Sequence, residues 1–323
     1  MTTGVYKGGG FLVDLPDRVA VHEVALRDGL QSEPVEVDTE GKLKLALALM
    51  DAGLSRIEAT SFVSPRRIPQ LADAEALLAR LPRRPGVAVS AVVPNLKGLE
   101  RACRAGCEEI AVLLSASETF SQRNTNASIA GMLASLEELI PSAREKGLAV
   151  RAYLSTVWGC PYEGAVDSDR AVHLAERLIE LGCYEVSLGD TNGIGTPGQT
   201  RKLLERFLDR IPAQRIALHV HDTRGMALTN VAVGLDMGIR VFDAAIGGLG
   251  GCPYAPGASG NLATEDLVYM LHGLGVQTGI DLARLCDAAC LAEVLVKRRL
   301  PGRVHCSVAG ERCQPAGSAG VSA

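Results

Sequence analysis

Two histidines separated by one residue, His219-Val220-His221, close an apolar run of strand length. Side chains at i and i+2 of a strand point to the same face, so both imidazoles are presented to one point and can grip one metal ion. A lone strand histidine reads as a satisfied core group. A pair at this spacing, in a chain with 6 histidines, favours ligation. The remaining donors are then oxygens, for which Asp28 and Asn261 are best placed. Two nitrogens with oxygen donors and no required thiolate suit Mg²⁺ or Mn²⁺ better than a structural Zn²⁺, without excluding zinc.

Further reactive groups surround that pair in the expected fold. Arg27 precedes Asp28 at a strand end followed by Gly29. The two form either an idle surface ion pair or a working one, in which the guanidinium stabilises an enolate or alkoxide oxygen as charge develops. Glu58 and Asp190 lie on the second and sixth strands, as buried partners that orient an arginine or histidine or as plain loop caps. Cys252 lies in the glycine-rich stretch 247–260, where a lid thiol can deliver a proton once substrate is covered; the bland alternative is a small core filler. Gly193-Ile194-Gly195-Thr196-Pro197-Gly198 matches G-x-G-x-x-G. It follows the sixth strand rather than opening the fold, and Pro197 suits a first helical turn, so it reads as a tight βα turn.

Residues so far apart need a scaffold that brings strand ends together. Strand-length apolar runs occur at 20–26, 55–60, 87–93, 109–115, 148–154, 184–189, 215–220 and 240–246. Amphipathic stretches lie between them, among them 39–52, 70–82, 127–147, 168–182, 198–210 and 226–237, several ending in glycine. This alternation predicts parallel strands in a (β/α)8 TIM barrel, with a doubly wound open sheet as the rival. Helical sequence continues from 261 to about 300, and no composition break marks a second domain, so 1–300 reads as one barrel domain. The stretch 301–323, rich in Pro, Gly, Ser and Ala, is expected to be a flexible tail. In such a barrel the chemistry sits at the C-terminal ends of the strands, where every candidate above falls.

Composition narrows the field. The chain has 323 residues, 47% hydrophobic and 22% charged, with a net charge of −4. That balance lacks the basic surplus nucleic acids recruit, and apolar runs such as 109–114 are far shorter than the roughly 20 residues of a membrane span. Nine cysteines, an odd number without CxxC pairs, read as reduced thiols, including Cys306 and Cys313 near the C-terminus. Met1 to Arg18 shows no targeting pattern, so a cytoplasmic location is expected.

Several segments, in order, carry a resemblance: Arg27-Asp28-Gly29-Leu30-Gln31, Ser61-Phe62-Val63-Ser64-Pro65, Pro94-Asn95-Leu96-Lys97-Gly98, Gly159 to Gly164, Leu188-Gly189-Asp190-Thr191, His219 to Thr223, and Gly247 to Asp266. Over about residues 20–280 the chain resembles the 3-hydroxy-3-methylglutaryl-CoA lyases, a family of metal-dependent TIM-barrel lyases. The resemblance implies that Asp28, His219, His221 and Asn261 bind the divalent cation, Mg²⁺ or Mn²⁺, and that Asp28 and His219 also serve catalysis. It further implies that Arg27 stabilises a thioester enolate, that Cys252 is a lid thiol used in proton transfer, and that Glu58 and Asp190 support the site. The implied reaction is a retro-Claisen cleavage of a 3-hydroxy-3-methyl acyl-CoA to acetyl-CoA and acetoacetate. Asn124 is a candidate contact for the CoA body, and a homodimer is expected. Asn192, Arg224 and Met226 depart from the family pattern, as does Trp158, which puts the acyl group in question and keeps citramalyl-CoA open as substrate. A Claisen-type synthase of the same superfamily is a further alternative, although 301–323 is short for the extra C-terminal region such synthases carry.

Overall fold

The computed structural model describes residues 15–251 and 260–309. Eight strands alternate with helices: β1 (Ala20–Glu23), β2 (Arg56–Ser61), β3 (Ala88–Val92), β4 (Glu109–Ser115), β5 (Ala149–Ser155), β6 (Glu185–Asp190), β7 (Ile216–Val220) and β8 (Val241–Ala244). They pair in sequence order into a closed barrel, and β1 meets β8 in parallel from Ala20 against Val241 to Glu23 against Ala244. The expected (β/α)8 barrel is therefore the fold, and the open sheet is excluded. Every residue of β6 and β7 is buried, as expected of parallel strands covered on both faces.

The covering helices are α1 (Thr39–Asp51), α2 (Ala74–Arg80), α3 (Leu96–Arg104), α4 (Glu118–Thr125), α5 (Ile129–Glu145), α6 (Ser168–Leu181), α7 (Pro197–Leu208) and α8 (Ala227–Asp236), followed by α9 (Thr264–Gly273), α10 (Leu282–Val296) and α11 (Arg303–Ala309). Their starts are set by side-chain caps: Asp38, Asn95, Ser117 and Ser128 each accept a first-turn backbone N–H. The stretch 127–147 does not act as one unit with what precedes it. Asn126, at φ 60°, ends α4, and Ser128 caps α5 afresh.

Three expectations need correction. The first strand ends at Glu23 rather than at residue 26, because the chain coils into a single π-helical turn, Ala25–Gly29, in which the N–H groups of Arg27, Asp28 and Gly29 all donate to the Val24 carbonyl. The expected flexible tail does not hold for residues 303–309, which form α11 and pack the buried His305 against Glu265 of α9 and Glu293 of α10. Asp266 fixes where that helix begins by accepting from the Arg303 and Val304 N–H groups. Cys290 is in a disulfide, against the expectation of nine reduced thiols.

The barrel interior is ionic. Arg151, fully buried, donates to Glu185 (2.6 Å) and through both terminal nitrogens to Asp243 (2.7 and 3.2 Å), and Arg56 reaches Glu185 from the next layer. Ser187 also donates to Asp243, at 2.7 Å. Removing one partner from such a network leaves a buried charge uncompensated, which costs about 3–5 kcal/mol. The network therefore fixes the floor on which the rim residues stand.

Candidate active site and cation centre

At the C-terminal ends of the strands, the π turn after β1 carries Arg27 and Asp28, while β7 and the residue that follows it present His219 and His221. The turn is held from below by Glu23, whose buried carboxylate accepts from the N–H groups of Ala25 (3.0 Å) and Ile246 (2.9 Å) and from the Thr264 hydroxyl (2.6 Å). One side chain at the end of β1 thus aligns the turn with the segment that leads into α9. Asn261 enters from that segment through a bridge to His221.

The two imidazole Nε2 atoms lie 3.2 Å apart, and His219 Nε2 is 3.9 Å from Asp28 Oδ2. The ligand atoms of Asp28, His219 and His221 all fall within 4.8 Å of one another, so one divalent cation can be reached by all three. Asn261 Nδ2 donates to Asp28 Oδ2 (2.8 Å) and to the Leu249 carbonyl (3.2 Å), which puts its amide against the same carboxylate. Gly250, at φ 111°, makes room for it: a Cβ there would come within 2.9 Å of Asn261 Nδ2.

Electrostatics favour ligation. Burial opposes the charge of Asp28, but Arg27, His219 and His221 outweigh it and hold the carboxyl well below the usual carboxylate range. Burial and the charge of His219 push His221 down to about 4, so it carries a free lone pair at neutral pH. His219 Nδ1 faces Asp243 Oδ2 at 3.4 Å, an arrangement in which a carboxylate behind the ring directs the opposite nitrogen outward.

Arg27 is the second feature of the rim. It donates from Nη1 to Asp28 (2.6 Å) and from Nε to Glu58, and its guanidinium stacks 5.2 Å over the Tyr153 ring. Glu58 therefore serves to aim the arginine. Its carboxyl is raised by burial, with Arg27 pulling the other way. A bulge between Glu58 and Thr60 in the β2–β3 register re-aims the strand at this position.

Asp190 stands apart from this cluster. Its carboxylate accepts from the N–H groups of Ile194 (3.0 Å) and Gly195 (2.8 Å) and closes the βα turn. Gly195 has no Cβ because Trp158 and Asp190 already lie within 2.8 Å of where one would sit. Arg224 anchors the same turn through the Asn192 and Gly193 carbonyls (2.7 and 3.0 Å), so two of the atypical residues act as a unit. Asn124 is exposed on α4 and lines a cavity of about 10 Å³ with Ser115, Phe120 and Ser121, a cavity that includes none of the cation-cluster residues. Cys252 lies outside the described residues.

Residues 18–291 match the family model described as HMGL-like. The chain belongs to the HMGL-like family. A cytoplasmic 3-hydroxy-3-methylglutaryl-CoA lyase of Rattus norvegicus is 49% identical over 277 residues, which is 86% of this chain and 81% of the relative. An HMG-CoA lyase structure from Bacillus subtilis superposes with a TM-score of 0.89 at 48% identity, covering 90% of this chain and 98% of that one. A further HMG-CoA lyase, from Acinetobacter baumannii and in complex with coenzyme A and 3-methylmalate, gives a TM-score of 0.86 at 38% identity over 95% and 98% of the two chains. Among the described residues of this HMGL-like protein, no helix is long and apolar enough to cross a membrane.

Sequence reasoning missed three residues of the site's foundation, Arg151, Tyr153 and Asp243. The signal was present: a charged residue inside a strand buried on both faces must be paired, and Asp243 in Val-Phe-Asp-Ala and Arg151 in Ala-Val-Arg-Ala are such residues.

Proposed function

We propose that this chain is a carbon–carbon lyase that cleaves 3-hydroxy-3-methylglutaryl-CoA to acetyl-CoA and acetoacetate. The observation that carries the reading is the convergence of Asp28, His219 and His221 within 4.8 Å, with Arg27 bonded to that same Asp28. Asp28, His219 and His221, joined by the Asn261 amide once its oxygen turns inward, hold a divalent cation of the Mg²⁺ or Mn²⁺ class. When bound, such an ion supplies Lewis acidity toward the hydroxyl and carboxylate oxygens of the acyl group.

The side chains divide the remaining work. The substrate hydroxyl gives its proton to water at the open rim and becomes a ketone as the adjacent C–C bond breaks, and the electron pair of that bond passes to the thioester as an enolate. Arg27, held rigid by Glu58, Asp28 and Tyr153, meets the negative charge as it develops on the enolate oxygen. Cys252 returns a proton to the enolate carbon, giving the acetyl group. Asp28 and His219 set the hydroxyl end of the site, and Asp190 keeps the β6 turn in place beside it. The CoA body crosses the rim near α4, with Asn124 as one contact.

A related acyl group is favoured by one observation: Asn192 is buried with its Oδ1 lacking a partner among the described residues. Such an acceptor next to the Arg224 anchor suits a different acyl chain, citramalyl-CoA among them. Purified protein supplied with Mg²⁺ or Mn²⁺ and each thioester in turn distinguishes the readings. Acetyl-CoA release from HMG-CoA is expected; release from citramalyl-CoA alone reassigns the substrate, and consumption of acetyl-CoA with a keto acid makes the protein a synthase. A homodimer in the cytoplasm completes the proposal, and light scattering in solution tests the dimer.

A further inference from the structure

A second cluster of ligand-type side chains lies away from the rim, where α9, α10 and α11 meet. His305 is fully buried, and its Nδ1 is bonded to Glu265 Oε1 at 2.6 Å. That bond fixes the ring and turns Nε2 the other way, toward Glu293 Oε1 at 3.3 Å and Cys306 Sγ at 3.5 Å. A carboxylate on one ring nitrogen with the other left facing donors is the arrangement found behind metal-ligating histidines. Glu265 is itself anchored, since its Oε2 accepts from the Gly247 N–H at 2.9 Å.

The spacing fits a tetrahedral ion. With metal–ligand bonds of about 2.0–2.2 Å to nitrogen and oxygen and about 2.3 Å to sulfur, the tetrahedron has N–O edges of about 3.3–3.5 Å and N–S edges of about 3.5–3.6 Å. The observed separations are 3.3 and 3.5 Å, and all three ligand atoms lie within 4.8 Å of one another. Glu293 already accepts from the Leu300 N–H (2.8 Å) and from Arg299 (3.0 Å), but a carboxylate offers about four lone-pair sites, so one remains for an ion. Cys306 is exposed, which gives an ion an entry path and leaves the fourth position to solvent.

We propose that His305, Glu293 and Cys306 form a second metal site, selective for Zn²⁺-class ions, that clamps the C-terminal helix onto α9 and α10. On binding, the Cys306 thiol and His305 Nε2 give up their protons to solvent, while the proton toward Glu265 stays on Nδ1. The thiolate separates this site from the rim centre: soft sulfur selects zinc or cobalt over Mg²⁺, whereas the rim offers imidazole and oxygen. The site rests on none of the catalytic assignments above.

The test holds the full-length protein in excess Mg²⁺ and titrates it with Co²⁺ while recording absorbance and thermal melting. A thiolate-to-cobalt charge-transfer band saturating at one equivalent is expected, with a melting midpoint raised by several degrees. Cys306→Ser is expected to abolish the band, and Cys252→Ser to leave it. Glu293→Gln, which retains the thiol, is expected to weaken binding by at least the roughly tenfold that loss of an outer-sphere partner costs. No band in the wild-type protein, a band that survives Cys306→Ser, or one lost only in Cys252→Ser would each overturn the proposal.

Discussion

At the residue scale, Arg27 is the most tightly held side chain of the rim. Its three partners, Glu58, Asp28 and the Tyr153 ring, leave it one pose, and in the proposed cleavage it would meet charge that appears only as the bond breaks. Arg27→Met is expected to lower kcat by about 10²–10³-fold, the usual cost of losing one oxyanion donor, with little change in thioester binding. Steady-state kinetics and isothermal titration with CoA separate the two, and near-normal turnover would remove Arg27 from the charge-stabilising role. His221 makes a pH prediction. Its conjugate acid is pushed down to about 4, and a protonated ring has no lone pair to give, so the share of Mn²⁺ affinity that His221 supplies should be lost only as the pH falls through about 4. NMR titration of the His221 ring in the metal-free protein follows this directly, and a midpoint near the ordinary histidine value would show the ring to be less shielded than the geometry indicates.

At the element scale, the π turn matters more than any strand. Two catalytic candidates project from five residues whose shape is set by Glu23 underneath. Burial raises that carboxyl from 4.5 to about 7 against the pull of the Thr264, Ile246 and Ala25 donors. The folded protein then holds a proton that the unfolded chain releases, so stability falls as pH rises between about 4.5 and 7. Glu23→Gln should flatten that slope, because a neutral amide can still accept from the two N–H groups while the Thr264 hydroxyl turns to accept from it. Urea denaturation at a series of pH values measures it, and an unchanged slope would assign the titration to another group. The turn was not legible in the sequence. Ala-Val-His-Glu-Val-Ala-Leu reads as one strand because its apolar spacing is right for one, and nothing local reports that the Glu23 carboxylate accepts from an N–H and a hydroxyl more than 200 positions downstream. The strands themselves were legible to within a few positions, since buried parallel strands are short runs of branched apolar residues between glycines. The histidine pair was legible for a different reason, because i and i+2 spacing is already geometry.

At the scale of the whole molecule, the barrel encloses charge instead of a purely aliphatic filling. Arg151 ties β5 to β6 and β8 through Glu185 and Asp243, and Asp243 in turn stands behind His219. Arg151→Met is expected to destabilise the fold by about 3–5 kcal/mol, read from chemical denaturation, and to weaken cation binding at the rim as Asp243 loses its place. A loss in stability with unaltered Mn²⁺ affinity would uncouple floor from rim. What sequence could not supply here is pairing: a lone Arg or Asp in a strand announces that a partner exists, without saying which of seven other strands provides it.

The proposed cation ligands come from opposite extremes of the polypeptide: Asp28 just after the first strand, the imidazoles at the seventh, and Asn261 beyond the eighth. A nascent chain on the ribosome thus exposes its acidic ligand early and its amide very late. No half-length fragment possesses all four of these residues, so ion affinity at the proposed centre would arise only when segments from early and late in the chain have met.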